Sequence, residues 1–372
     1  MIRFNETYKS KNSNKYLKEL IEKNSFSSNY FREKCINYIK NEFGYDHFLL
    51  THSATAALEM AGMLLRMDNK FSESKVYMPS YTFSSTANAF LRSGFKIKFL
   101  DIDINSMMLE IKNLNLKPTD VLVPVHYAGS YFNFESYFKI NNKKITVVED
   151  AAQAFGVKYK GRWAGSYGRF SCFSFHPTKN IHAGFGGMIL FKNKSDYLSA
   201  LSLYERGTDR SKVILGQKKK YEWVSEGSSF ELNELSSAVL LSQLEDMNKI
   251  IKIRKNIYEK YFESLEKLID SEIIKVQDIP NEVTPNYHSF YILLKENNKS
   301  LMNYLYEKKI QSYIGYSPLH NSKYGKTNKL NQKLKNTEYV QNKLIRLPSH
   351  PNLKPSDVNY ITSSIKSYYK NK

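Results

Sequence analysis

Two apolar runs, each closing on groups able to do chemistry, constrain the fold of this 372-residue chain more than any other feature. Ile145-Thr146-Val147-Val148-Glu149-Asp150 is apolar until it ends in two carboxylates. Phe170-Ser171-Cys172-Phe173-Ser174-Phe175 leads directly into His176-Pro177-Thr178-Lys179-Asn180. Runs of this kind, without polar alternation, belong to strands covered by helices on both faces, which is the habit of parallel sheets. Residues 54–66 carry Leu58, Ala61, Met63, Leu64 and Leu65 at helical spacing. Residues 95–100, 121–126 and 187–192 read as further strands. Helix and strand patterns alternate from residue 46 to about residue 206. The expected architecture is therefore α/β: a large, doubly wound, mostly parallel sheet with right-handed crossovers. Open sheets of this class gather ligand-binding groups at the carboxyl ends of their strands, where Asp150 and Lys179 would both lie.

The pattern changes further along. Residues 231–268 contain neither proline nor glycine and read as helix bridging two domains. Residues 288–295 read as a strand, and residues 299–309, 338–344 and 356–370 as helices, which makes a small α+β unit. The expected division is a large domain over residues 21–250 and a small C-terminal domain over residues 251–372, with residues 1–20 packing on the latter.

The formal net charge of +19 invites a nucleic-acid reading. The basic residues are spread along the chain, however, and Lys218-Lys219-Lys220 is the longest purely basic run. No zinc-knuckle spacing or RNA-binding aromatic signature accompanies them. A solvated basic surface, which would also attract an anionic substrate, is the preferred reading. There is no apolar run of about 18 residues, so no membrane insertion is expected. The segment Met1-Ile2-Arg3-Phe4-Asn5-Glu6 has no apolar signal core. With only two cysteines, the expected setting is a reducing cytoplasm.

Lys179 and Asp150 together supply what pyridoxal 5'-phosphate requires. A lysine amine bonds to its aldehyde carbon, and a carboxylate keeps its ring nitrogen protonated so that the ring can draw electrons. Ser53-Ala54-Thr55 opens the helix near residue 54. Ser53 is a good N-cap, and free N–H groups and the helix dipole favour an anion there; an ordinary helix cap would look the same.

The segments Val148-Glu149-Asp150-Ala151-Ala152-Gln153-Ala154-Phe155-Gly156, Tyr159-Lys160-Gly161, Gly165-Ser166-Tyr167-Gly168, Cys172-Phe173-Ser174-Phe175-His176-Pro177-Thr178-Lys179-Asn180 and Gly186-Gly187 resemble, in order and spacing, the DegT-type sugar aminotransferases. These are pyridoxal-phosphate enzymes of the aspartate-aminotransferase fold, fold type I. The resemblance extends over nearly the whole chain. Residues 79–90, 124–129, 207–211, 221–223 and 227–229 are similar to one branch, the dTDP-4-amino-4,6-dideoxygalactose transaminases.

The resemblance implies a homodimer that moves an amino group from L-glutamate to a nucleotide-linked keto sugar. It implies that Lys179 and Asp150 are catalytic. It further implies that Ser53, Ala54, Thr55 and Ser174 hold the cofactor phosphate, that Phe83 stacks on the pyridine ring, and that Gln153 reaches the phenolic oxygen. Phe83 is equally suited to a core position, and Gln153 to a polar helix face. His126, Tyr127, Arg206, Arg210 and His320 are candidates for substrate contacts. Two departures stand out: Glu231 occupies the position where relatives carry an asparagine that reaches the partner's phosphate, and residues 24–31 lack glycines common in relatives. Competing readings are a carbon-3 or UDP-sugar aminotransferase, a non-catalytic regulator, and a nucleic-acid binder.

Overall fold

A computed structural model describes residues 1–110, 114, 116–141 and 145–370. Along the chain come α1 (Lys11–Glu22), α2 (Tyr30–Phe43), β1 (Phe48–Thr51), α3 (Ala54–Met67), β2 (Lys75–Pro79), α4 (Ser84–Arg92), β3 (Lys96–Leu100), β4 (Val121–Leu122), α5 (Phe134–Asn141) and β5 (Thr146–Asp150). A short hairpin of β6 (Lys158–Tyr159) and β7 (Arg162–Trp163) precedes β8 (Phe170–Ser174), β9 (Gly187–Phe191), α6 (Lys194–Tyr204), α7 (Arg210–Ile214), α8 (Glu234–Glu245) and α9 (Met247–Asp270). The remainder is β10 (Ile274–Val276), β11 (Val283–Thr284), β12 (Phe290–Leu294), α10 (Asn298–Glu307), α11 (Lys323–Thr327), α12 (Lys335–Gln341), β13 (Leu344–Leu347) and α13 (Pro355–Lys370).

The central sheet has the order β1-β9-β8-β5-β4-β2-β3. From β8 to β3 all pairings are parallel, whereas β9 runs antiparallel to both β8 and β1. Every residue of β8 and β9 is buried, Ser171 and Ser174 of β8 included. A second sheet, β10-β12-β13, is antiparallel and carries α10 and α13. A third, β11-β6-β7, ties residues 158–163 to residues 283–284. Cys35 and Cys172 are both buried thiols. Among the described residues no helix is long and apolar enough to cross a membrane.

The first residues divide between the two parts. Ile2 lies beside Ile310 and exchanges backbone hydrogen bonds with Lys309 and Gln311. α1, by contrast, packs on α8, where Asn12 and Tyr16 donate to Glu245 and the Ser13 and Ser242 hydroxyls meet at 2.7 Å. Ile2 and Phe4 thus lie with the C-terminal unit, whereas Tyr8 O is already bonded by His182 and Gln243 of the large one.

Several sequence expectations change in detail. The strand expected over residues 121–126 stops at Leu122, because Pro124 has no N–H to give the ladder. The chain stays extended and returns to β5 through Asp150 N–H to Pro124 O and His126 N–H to Asp150 O, both 3.0 Å. The bridging helix begins at Glu234 and breaks at Asp246 into α8 and α9. Helix was expected over residues 338–344; α12 instead ends at Gln341, and Leu344 opens a strand that completes the small sheet.

Candidate active site

A cavity of about 510 Å³ opens where the chain leaves β2, β4, β5 and β8. Asp150 is the last residue of β5 and is only 4 % exposed. Its Oδ2 accepts from Thr86 Oγ1 at 2.6 Å and its Oδ1 from Ala152 N at 3.2 Å. Thr86 is held in turn by Thr82, hydroxyl to hydroxyl at 2.9 Å. Among the described residues Asp150 is the one carboxylate lining the cavity.

Lys179 follows β8 on a locally locked turn. Lys179 N donates to His176 O at 2.8 Å, and Thr178 N donates to His176 Nδ1 at 3.2 Å. Burial of the amine, followed by the positive charge of Arg346, lowers the Lys179 pKa to about 8; Asp150 opposes this. An amine so tuned is available as a base at neutral to mildly alkaline pH. The next residue, Asn180, is tied to Asn286 O at 2.6 Å and to His288 Nδ1 at 3.0 Å. His288 lines the cavity, and burial together with the charges of Lys179 and Arg346 holds its pKa well below the usual imidazole value.

Ser53 caps α3, its Oγ accepting from Ala56 N at 3.1 Å. The N–H groups of Ala54 and Thr55 have no carbonyl one turn back within the helix, and both residues line the cavity. The start of β9 makes room for this turn. A Cβ on Gly187 would lie 2.5 Å from Ala54 N, so any other residue would push the helix start off the sheet. Ser174, at the end of β8, faces the same space.

Gln153 accepts from Ala128 N at 2.8 Å and donates to Tyr316 OH at 2.7 Å, which presents its side chain at the cavity wall. Phe83, at the N-cap of α4, is 61 % exposed although apolar, and its ring lies 6.4 Å from that of Tyr316. A helix start, a hydroxyl, a carboxylate, a buried amine and an uncovered aromatic face are the donor set that pyridoxal phosphate requires. The structure thus brings Ser53, Ala54, Thr55, Phe83, Asp150, Gln153, Ser174 and Lys179 to one cavity.

The five proposed substrate residues lie elsewhere. His126 has no exposed surface: Nε2 bonds Glu149 Oε2 at 2.8 Å and Nδ1 accepts from Phe132 N at 3.1 Å. Tyr127 is 1 % exposed in a cluster with Tyr81, Tyr291 and Tyr316. His320 is buried between the Ser80 hydroxyl and Glu338. His126 and Tyr127 were singled out as polar groups ending a strand and His320 as a candidate nucleotide contact, but here the chain turns all three side chains inward. Arg206 pairs with Glu231 at 3.0 Å on an exposed face, and Arg210 opens the surface helix α7; neither lines the cavity.

The departures at Glu231 and residues 24–31 have structural counterparts. Glu231 sits between Arg32 and Arg206, each at 3.0 Å, so its charge is compensated within the chain. Asn24 and Asn29 take left-handed backbone, φ 48° and 63°, which asparagine tolerates better than most residues.

Sequence reading missed the opposite wall: Phe4, His288, Ser289, Tyr316, Arg346 and Ser349. These come from segments far apart in the chain, and no motif joins them.

The family model for the DegT/DnrJ/EryC1/StrS aminotransferases matches residues 7–366. An uncharacterized protein of Methanocaldococcus jannaschii is 30% identical over 353 residues, spanning 90% of this chain and 88% of that protein. PseC of Helicobacter pylori, an aminotransferase involved in the biosynthesis of pseudoaminic acid, superposes with a TM-score of 0.90 at 23% identity, covering 100% of both chains. A proposed sugar aminotransferase of Streptococcus pneumoniae, Spr1654 in its PLP-form, superposes with a TM-score of 0.90 at 19% identity, covering 100% of this chain and 99% of that one. The sugar aminotransferase CalS13 of Micromonospora echinospora gives a TM-score of 0.89 at 18% identity, covering 99% of this chain and 100% of that one.

Proposed function

The chain belongs to the DegT/DnrJ/EryC1/StrS aminotransferase family, and from that premise we propose that it moves an amino group from L-glutamate to carbon 4 of dTDP-4-keto-6-deoxyglucose. The product would be dTDP-4-amino-4,6-dideoxygalactose, an amino sugar for a surface polysaccharide, made in the cytoplasm by a homodimer. The fold is that of a fold type I transferase, and the cofactor is pyridoxal 5'-phosphate. The observation that carries the reading is the meeting of Lys179, Asp150 and the Ser53 turn in one cavity. The narrower choice of sugar is supported by the branch-like segments at residues 79–90, 207–211 and 227–229.

Bound here, pyridoxal phosphate supplies a carbonyl carbon that takes up an amine and a protonated ring that draws electrons from it. Ser53, Ala54, Thr55 and Ser174 would hold its phosphate, Asp150 its ring nitrogen, Gln153 its phenolic oxygen, and Lys179 its aldehyde carbon. Phe83 would cover one ring face. Asp150 is suited to its task because its two protein hydrogen bonds leave carboxylate lone pairs free toward the cavity. Lys179 Nζ, with its lowered pKa, would be the base that takes the proton from the carbon bearing the donor's amine. On the sugar half of the reaction the same Nζ would deliver a proton to carbon 4. The face it attacks fixes the new stereocentre. Tyr316, Phe83 and Phe185 border this space with aromatic surface.

Purified protein incubated with pyridoxal phosphate, L-glutamate and dTDP-4-keto-6-deoxyglucose should yield 2-oxoglutarate and a 4-amino sugar nucleotide, identified by mass spectrometry and NMR. No turnover there, with turnover on a 3-keto or UDP-linked sugar, would reject the substrate choice and keep the aminotransferase.

A further inference from the structure

We infer that His288 is a positioning residue for Lys179 and acts through one water molecule held in a small cavity that the two residues share; this rests on the aminotransferase reading above. The small cavity, of about 10 Å³, adjoins the large one. Its polar wall is Gln153, Ser174, Lys179, Asn180, Asn286 and His288. Of these, Gln153, Ser174, Lys179 and His288 also line the large cavity, so the two meet at the lysine. One water needs a space of roughly 10–15 Å³ and about three polar partners.

The hydrogen bonds around His288 fix where its ring proton sits. Asn286 Nδ2 donates to Gln153 O and Phe155 O, both at 2.9 Å, and Asn286 Oδ1 accepts from His288 N at 3.0 Å. Asn180 Nδ2 donates to Asn286 O at 2.6 Å, which leaves Asn180 Oδ1 facing His288 Nδ1 at 3.0 Å. An amide oxygen only accepts, so Nδ1 carries the proton and Nε2 is a bare acceptor. Burial, followed by the charges of Lys179, Arg346 and Arg254, keeps a second proton off the ring. His288 is 6 % exposed. Among the described residues neither its Nε2 nor Lys179 Nζ has a hydrogen-bond partner in the chain. A buried acceptor left without a donor is costly, and a water in the shared cavity supplies the donor.

A water that donates to His288 Nε2 keeps its oxygen free to accept from Lys179 Nζ. With one N–H engaged in this way, the amine turns its lone pair away from the water and toward the large cavity. That is the side from which it must take a proton and to which it must return one. The water stays whole throughout: no bond to its oxygen is made or broken, and the proton that Lys179 moves is the substrate's own. Aim of this kind matters, because displacing a catalytic group by about 1 Å can cost on the order of a hundredfold in rate. Asn180 and Asn286 serve the same end by holding the imidazole in one orientation and one tautomer.

Two variants separate this role from a structural one. His288→Asn keeps an amide N–H that can donate to Asn180 Oδ1 but puts nothing where Nε2 stands. His288→Gln loses that donor but can bring its amide oxygen to the Nε2 position. In crystals of the protein loaded with pyridoxamine phosphate, in which the lysine amine is free, an ordered water should lie within hydrogen-bond distance of His288 Nε2 and Lys179 Nζ. It should be lost in His288→Asn and kept in His288→Gln. With pyridoxal phosphate and L-glutamate, kcat should fall roughly thirtyfold in His288→Asn and stay within about threefold in His288→Gln, with KM within about twofold in both. The reverse order, with the glutamine variant damaged and the asparagine variant sound, overturns the proposal and makes His288 a structural clamp on Asn180. A wild-type crystal without the water overturns it too. If the wild type forms 2-oxoglutarate and both variants match it, the positioning role is wrong and the aminotransferase stands. If the wild type forms none, both fall. Should His288→Asn fail to fold, the wild-type crystal and His288→Gln carry the test, and a missing water or a damaged glutamine variant overturns the proposal.

Discussion

Glu149 and Asp150 are adjacent carboxylates on one buried strand, yet their surroundings differ in kind. Glu149 has no exposed surface and accepts five hydrogen bonds: from His126 Nε2 (2.8 Å), Tyr131 OH (2.9 Å), Gly165 N (3.1 Å), Tyr167 N (2.9 Å) and Gly168 N (2.6 Å). Asp150 accepts two and faces the cavity. Alternation along the strand sends the two to opposite sides of the sheet. A buried carboxylate whose lone pairs are all claimed by its own chain holds the fold together. One that is left short of partners can interact with something else. Burial pushes the Glu149 pKa up, but the hydrogen bonds led by His126 outweigh this and hold it below the usual carboxylate value.

The difference can be broken by exchanging the roles of the pair. The largest effect expected is on rate: Asp150→Asn should lose roughly a thousandfold or more in transamination, about 4 kcal/mol of barrier, while urea melting shifts by no more than about 1 kcal/mol. Near-normal turnover in that variant would remove Asp150 from the chemistry. Glu149→Ala should do the reverse, losing about 3–5 kcal/mol of stability because five donors are stranded in the interior. The Glu149 contribution is present above the ordinary carboxylate pKa and is lost as pH falls through its lowered folded value. Acid unfolding should therefore begin at higher pH in Glu149→Gln.

His126→Ala comes next. It should cost about 2 kcal/mol in denaturant melts and leave the KM for the sugar nucleotide unchanged, because His126 is sealed under the sheet with Tyr131 stacked on it at 4.2 Å. A raised KM with unaltered stability would return it to the substrate site.

These contrasts also mark what the sequence could disclose. The buried parallel strands were legible because both faces need apolar residues, Asp150 because it closes one, and Lys179 because it lies in the loop just beyond another. The Ser53 turn was legible from its cap. His126 and Tyr127 carried the same signature of polar groups at a strand end, and nothing local reveals that the chain turns them, or His320, inward. Arg346, Ser349 and Phe4 had no local mark at all. They reach the cavity only when the small sheet and the N-terminal segment fold against the large one. The strand β13 was hidden for a related reason: Leu344, Ile345 and Leu347 are apolar enough to suit either a helix or a strand, and pairing with β12 decides between them.

The smallest effect concerns the lysine itself. Only the unprotonated amine adds to an aldehyde, so the rate at which cofactor-free protein takes up pyridoxal phosphate should rise with pH around a midpoint near 8. Asp150→Asn should move that midpoint down, since the carboxylate opposes the shift, and Glu149→Gln should leave it in place. Equal displacement by both would mean that the two carboxylates are not distinguished in the way described.

The most direct measurement is to reduce the pyridoxal-phosphate-loaded protein with borohydride, digest it, and locate the pyridoxyl label by mass spectrometry. The label is expected on one peptide, at Lys179, and should be absent from Lys179→Ala. Labelling at another lysine, or undiminished labelling of the alanine variant, would contradict the assignment of this cavity as the cofactor site.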